Sequence, residues 1–160
     1  MPQLYFEDFA SGSVSEFGTR VVTAAEIIEF AATYDPQPMH LDPDVARESM
    51  LGAHAASGWH ACCVLMRMIS DGFLLRSSFL GAPGIEEVRW LAPLKAGESI
   101  TVRATVLEKR VSQSRPGVGF IKFMFEIVDP AGVRVMTMAA SPMFALRDAA
   151  AKAAIPQAPA

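Results

Sequence analysis

Between Trp59 and Leu75 the chain is apolar on most sides of any helix it forms, through Val64, Leu65, Met66, Met68, Ile69, Phe73 and Leu74. A helix of that kind is enclosed, by lipid or by protein. Arg67, Ser70 and Asp71 interrupt the stretch, and Arg67 and Asp71 stand one turn apart, where their charges offset each other. A span of the bilayer tolerates such residues poorly, so the segment reads as a helix surrounded by the rest of a non-membrane domain. It opens at Ser57-Gly58 and is expected to run to about Arg76. At roughly 18 residues it is about 27 Å long.

What surrounds it follows from the change of period after Gly84. In residues 98–108, Ile100, Val102, Ala104 and Val106 alternate with Thr101, Arg103 and Thr105. In residues 119–128, Ile121, Phe123, Phe125 and Ile127 share one face, opposite Lys122 and Glu126. Two further runs, from Ile85 to Leu91 and from Val133 to Leu146, have strand character, and an earlier one lies near Ser13 to Val22. Turns are marked at Pro93 to Gly97, at Arg115-Pro116-Gly117 and at Asp129-Pro130-Ala131-Gly132. Strands of about ten residues reach roughly 33 Å, close to the length of the helix. The pattern predicts an α+β domain in which a long antiparallel sheet wraps round one central helix.

The N-terminal part is helical and punctuated by proline. Thr23-Ala24-Ala25-Glu26 is a capping box, and Ile27, Ile28, Phe30 and Ala31 supply the apolar face of a short helix. It should stop near Tyr34, because Pro36 disfavours helical geometry at Asp35. Residues 35–49 carry Pro36, Pro38 and Pro43 and are expected to form an irregular elbow. Asp42-Pro43 reads as an N-cap with proline at N1.

Within that elbow, Asp35 and His40 are the residues that fit chemistry best. Proline stiffens the bend and aims both side chains with little entropy left to lose. A carboxylate beside an imidazole can hold a water, one group accepting a proton while the other donates. The alternative from spacing alone is that Asp35 caps a turn and His40 is a hydrogen-bonded loop histidine.

Other function classes find little support. The net charge is −3, with no basic run, which argues against nucleic acid as a partner. Hydrophobic residues make up 51% and charged residues 19%, so either the core is large or apolar surface is covered by another subunit. His54 and His60 lack a metal-ligand spacing, so no metal is expected. Neither a Walker-type nor a dinucleotide-type glycine loop occurs, so no cofactor is expected. Cys62 and Cys63 are neighbours that cannot pair with each other and read as reduced, small core residues; Trp59 and Trp90 can line a ligand pocket, with core packing as the default reading. The opening residues lack the basic start and apolar run of a secretory signal, which with the reduced thiols points to the cytoplasm. Residues 1–147 are expected to be one domain and 148–160 an Ala/Pro-rich tail.

The run from Phe30 to Asp42, with Ser57-Gly58-Trp59-His60 opening the long helix, resembles the hydratase motif of MaoC-like dehydratases and (R)-specific enoyl-CoA hydratases. That motif is close to Gly-Asp-x-Asn-Pro-x-His-x-Asp, followed by His-Gly or Ser-Gly at the helix start. The likeness extends from about Tyr5 to Leu146 and includes residues 89–108. It implies a hot-dog fold, with Asp35 and His40 as the catalytic pair. Pro38 and Asp42 match the motif's proline and trailing aspartate. Gly58, with Ser57 before it, matches the substrate-binding position whose amide holds the thioester carbonyl oxygen. Such a role suits unpaired amides at a helix start. The resemblance implies reversible hydration of a trans-2-enoyl-CoA to an (R)-3-hydroxyacyl-CoA, in a homodimer or higher homo-oligomer with the site near the subunit interface. Tyr34 and Gln37 stand where the family often has Gly and Asn, and Met66 where some hydratases have Ser. A hot-dog thioesterase and a non-catalytic acyl-thioester-binding subunit are the alternatives.

Overall fold

The computed structural model describes residues 2–148; residues 149–160 of the expected tail lie outside the described residues. After β1 (Val14–Val21) come three helices, α1 (Ala24–Tyr34), α2 (Pro38–Leu41) and α3 (Pro43–Glu48). The long helix α4 (Gly58–Gly72) leads into β2 (Phe79–Gly81) and β3 (Ile85–Trp90). The chain closes with β4 (Ser99–Val111), β5 (Val118–Val128), β6 (Arg134–Ala140) and β7 (Met143–Ala145). All the pairings between these strands are antiparallel, in the order β1-β4-β5-β6-β3, with β7 pairing to both β5 and β2. This is the α+β hot-dog arrangement, a long sheet around a central helix.

Register explains why the period-two runs form one surface. Val102 lies opposite Ile127, Ala104 opposite Phe125 and Val106 opposite Phe123, while Phe125 and Ile127 face Met138 and Met136 across the next strand. Directly opposed residues share a face, so these side chains make one continuous apolar strip. Against it α4 buries Ala61, Val64, Leu65, Met68 and Ile69. At the far end of α4, Phe9, Phe17, Phe73, Phe123 and Phe144 join in edge-to-face and tilted contacts. No helix among the described residues is long and apolar enough to cross a membrane.

Four expectations need correction. The long helix is not enclosed on all sides: Trp59 is 64% and Met66 46% exposed, and Arg67 and Cys63 face outward with them. An apolar count does not say which side chains the sheet reaches, and a single sheet reaches one side. The helix also ends at Gly72, followed by a separate 3-10 turn at Leu74–Arg76. Gly72 is where Phe17 packs closest, within 2.4 Å of where a Cβ would stand. The elbow is not irregular throughout, since Pro38 occupies N1 of α2 and so starts a helical turn. Finally, the run from Val133 to Leu146 is two strands broken at Ser141-Pro142, because proline has no amide for a continuous ladder.

Candidate active site

Two local structures bring the site together. The first is α1 and its exit. Thr23 Oγ1 accepts from the Glu26 amide while Glu26 accepts from the Thr23 amide at 2.9 Å, the capping box read from the sequence. Asp35 caps the other end, turning the chain into the extended Gln37 and then into α2. The second is the segment before α4, where the Ala56 amide donates to Leu94 O and the Ala96 amide to His54 O. That pairing fixes the carbonyl of Ala55.

His40 is buried, and its Nδ1 lies 2.9 Å from Ala55 O. A carbonyl oxygen only accepts, so Nδ1 carries the proton. The other ring nitrogen, Nε2, lies 3.9 Å from Asp35 Oδ2. The remaining Asp35 oxygen, Oδ1, accepts from Gln37 Nε2 at 2.7 Å. Gln37 therefore orients the carboxylate, and its longer arm still reaches. His54 Nε2 donates to His40 O at 2.8 Å, so the segment before α4 holds both the ring and the backbone of His40.

Asp35, His40 and Gly58 line one cavity of about 430 Å³, together with Gln37, Trp59 and Trp90. Its remaining wall is apolar, from Met39, Leu51, Ala56, Ala61, Leu94 and Val135. At its edge α4 begins: Ser57 Oγ accepts from the His60 amide at 3.2 Å and Ser57 O from the Ala61 amide at 3.0 Å. The amides of Gly58 and Trp59 make no hydrogen bond among the described residues, as expected for the first helical positions. Ser57 does not line the cavity; its hydroxyl caps the helix.

Several sequence candidates lie elsewhere. Asp42 caps α3, accepting from the amides of Asp44 and Val45. His60 stacks on Phe30 with ring centroids 4.6 Å apart, and burial holds its pKa below the ordinary value. Burial pushes the Cys62 thiol up, which suits a packed, protonated side chain rather than a nucleophile. Met66 and Phe73 do not reach the cavity. Among the described residues no group of three or more His, Cys, Asp or Glu is disposed to hold a metal ion. Trp59 and Trp90 line the cavity instead of filling the core, which corrects the default reading, and Trp90 is 50% exposed. The sequence reading considered His54 only as a metal ligand and did not see that it, with the Ala55 carbonyl, holds His40.

The family model described as MaoC like domain matches residues 9–119. A MaoC-like dehydratase from Rhodospirillum rubrum superposes with a TM-score of 0.83 at 34% identity, covering 90% of this chain and 98% of that one. The (R)-hydratase PhaJ1 from Pseudomonas aeruginosa gives 0.70 at 18% identity, over 98% and 94%, a likeness of fold. Protein MaoC of Klebsiella aerogenes is 29% identical over 112 residues, 69% of this chain. The chain spans 33% of the length of that relative.

Proposed function

Because this chain belongs to the family of MaoC-like domains, we propose that it is a hydro-lyase adding water reversibly to a trans-2-enoyl-CoA to give an (R)-3-hydroxyacyl-CoA. The observation that carries the reading is the 3.9 Å gap between His40 Nε2 and Asp35 Oδ2, in one cavity with the free amide of Gly58. The gap is too long for a direct hydrogen bond and suits a water oxygen bonded to both groups.

The thioester carbonyl accepts from the Gly58 amide, at the positive end of α4. That polarises the conjugated double bond and makes its β-carbon electrophilic. Water held by Asp35 and His40 adds its oxygen to the β-carbon and gives up one proton to the pair. The pair returns a proton to the α-carbon, so one water is added and the thioester bond stays intact. The Ala55 carbonyl keeps the His40 proton on Nδ1, leaving Nε2 free to act in the exchange.

The chain is proposed to work as a homodimer, joined through the edges of two sheets. β3 ends the sheet order and has one partner among the described residues, β6. Pairing two copies antiparallel about Val88 would set Glu87 of each opposite Arg89 of the other. Both cysteines are free, in keeping with a cytoplasmic setting.

The test is ultraviolet loss of enoyl conjugation with crotonyl-CoA and longer trans-2-enoyl-CoA substrates, alongside a thiol assay. Hydration without thiol release, abolished by His40→Ala, is expected. Thiol release from a saturated acyl-CoA would assign a thioesterase instead. A fully active monomer by light scattering would overturn the dimer.

A further inference from the structure

Trp90 ends β3, and its ring lies across the start of α4, 32 residues away in sequence. Its Nε1 donates to Gly58 O at 2.9 Å. The contact is so close that a Cβ on Gly58 would stand 2.5 Å from the indole. Gly58 is therefore explained by the approach of this ring and not by an unusual backbone angle, since its φ is not positive. The strand end that carries the indole is itself tethered, because the amides of Leu91 and Ala92 both donate to Val135 O. On the other side the ring meets Trp59 edge to face, with centroids 5.8 Å apart.

A bond to Gly58 O reaches further than that atom. The Gly58 carbonyl and the Trp59 N–H belong to one planar trans peptide and point in opposite directions. Fixing the carbonyl therefore fixes the N–H, and the Trp59 amide is the second free amide of the first turn. We propose that Trp90 is a positioning residue: by holding the Gly58–Trp59 peptide plane, it aims the Trp59 amide at the thioester carbonyl oxygen beside the Gly58 amide. The assignment rests on the hydratase reading and adds a second oxyanion donor together with the side chain that orients it. The half-exposed indole also forms the cavity wall next to that oxygen, where exclusion of water strengthens both hydrogen bonds.

Trp90→Phe keeps a ring against Gly58 and removes the N–H. Charge on the oxygen grows in the transition state, so a loosely aimed donor lowers kcat more than it raises KM. The variant is expected to lose about tenfold in kcat with KM changed less than about threefold. Trp90→Ala, which also removes the wall, should lose kcat and raise KM together. Wild-type kcat in a folded Trp90→Phe protein, with only Tm lowered, would overturn the proposal. A stability cycle reads the contact without any substrate. Gly58→Ala should lower Tm, and the double variant with Trp90→Ala should recover part of that loss because the ring is gone. No recovery would remove the contact the assignment needs. A wild type that hydrates no enoyl thioester, with the Tm coupling intact, would instead overturn the hydratase reading and the role of Trp90 with it.

Discussion

Asp35→Asn and His40→Ala should both cut hydration by orders of magnitude, yet only one of them should cost stability. At the 3.9 Å separation of Asp35 Oδ2 and His40 Nε2, a water about 2.8 Å from each would subtend about 90° between them. That angle is close to the one between a water's two O–H bonds, so one water can donate to both Asp35 Oδ2 and the unprotonated His40 Nε2. In Asp35→Asn the amide oxygen can still accept from Gln37, which now bonds Oδ1, so the elbow keeps its local contact. The group facing His40 becomes an NH2, which cannot accept a proton. Losing one member of such a pair costs about 10²–10⁴-fold in kcat. The Asp35 side chain is 19% exposed and loses no protein hydrogen bond, so Tm should stay within about 2 °C. His40→Ala differs because it strips the buried Ala55 carbonyl of its partner. An unsatisfied buried acceptor costs about 1–3 kcal/mol, or roughly 2–10 °C in Tm for a domain of this size. Ultraviolet enoyl assays and thermal melts on the two variants check both halves. Asp35→Asn with kcat within about threefold of wild type, or a His40→Ala protein as stable as wild type, would refute the reasoning.

Acid stability should respond to His60. Burial holds its folded pKa below 6.5, so the unfolded chain binds that proton more readily; stability is complete above about 6.5 and declines as pH falls through the folded value. His60→Phe, which keeps the stack on Phe30, should flatten Tm against pH in that range, and parallel curves would count against it. Glu26 behaves in the opposite region. Hydrogen bonds from the Thr23 amide and then Arg20 lower its pKa from 4.5 to about 2, so its contribution is present above 4.5 and lost as pH falls towards 2. Glu26→Gln should be less stable than wild type at neutral pH, with the difference vanishing near pH 2 in circular-dichroism melts. Leu65 is fully buried between helix and sheet, and Leu65→Ala should cost about 2–5 kcal/mol in urea unfolding without changing KM.

The sheet was legible because a period of two admits few readings once Ile100 to Val106 and Ile121 to Ile127 are seen to alternate. The outer side of α4 was not, because Trp59 and Met66 are as apolar as the residues the sheet covers. Asp35 and His40 stood out through the prolines between them and through the family motif, while their separation needed coordinates. The parts of the site that escaped reading are mostly backbone. Every residue has a backbone carbonyl, and only the pairing of residues 54–56 with Leu94 to Ala96 makes that of Ala55 a fixed acceptor. Trp90 was visible as a residue, but a contact 32 positions away leaves no periodic trace.

The two hydrogen bonds that seat His40 span 15 and 14 positions of chain, to Ala55 O and from His54 Nε2. Loops of that length close at small entropic cost and early relative to strand pairings that reach across the domain. The contacts that place Asp35 and His40 therefore lie mostly within one short stretch of chain, from the exit of α1 to the first turn of α4. The sheet reaches that stretch through the 94–96 segment and the indole of Trp90. No residue of β4 or β5 lines the cavity, so substitutions in those strands are expected to change stability more than the separation of Asp35 and His40. The apolar cavity wall, from Met39, Leu51 and Val135, lies outside the two hydrogen bonds that seat His40, so changes there can reshape the cavity without touching them.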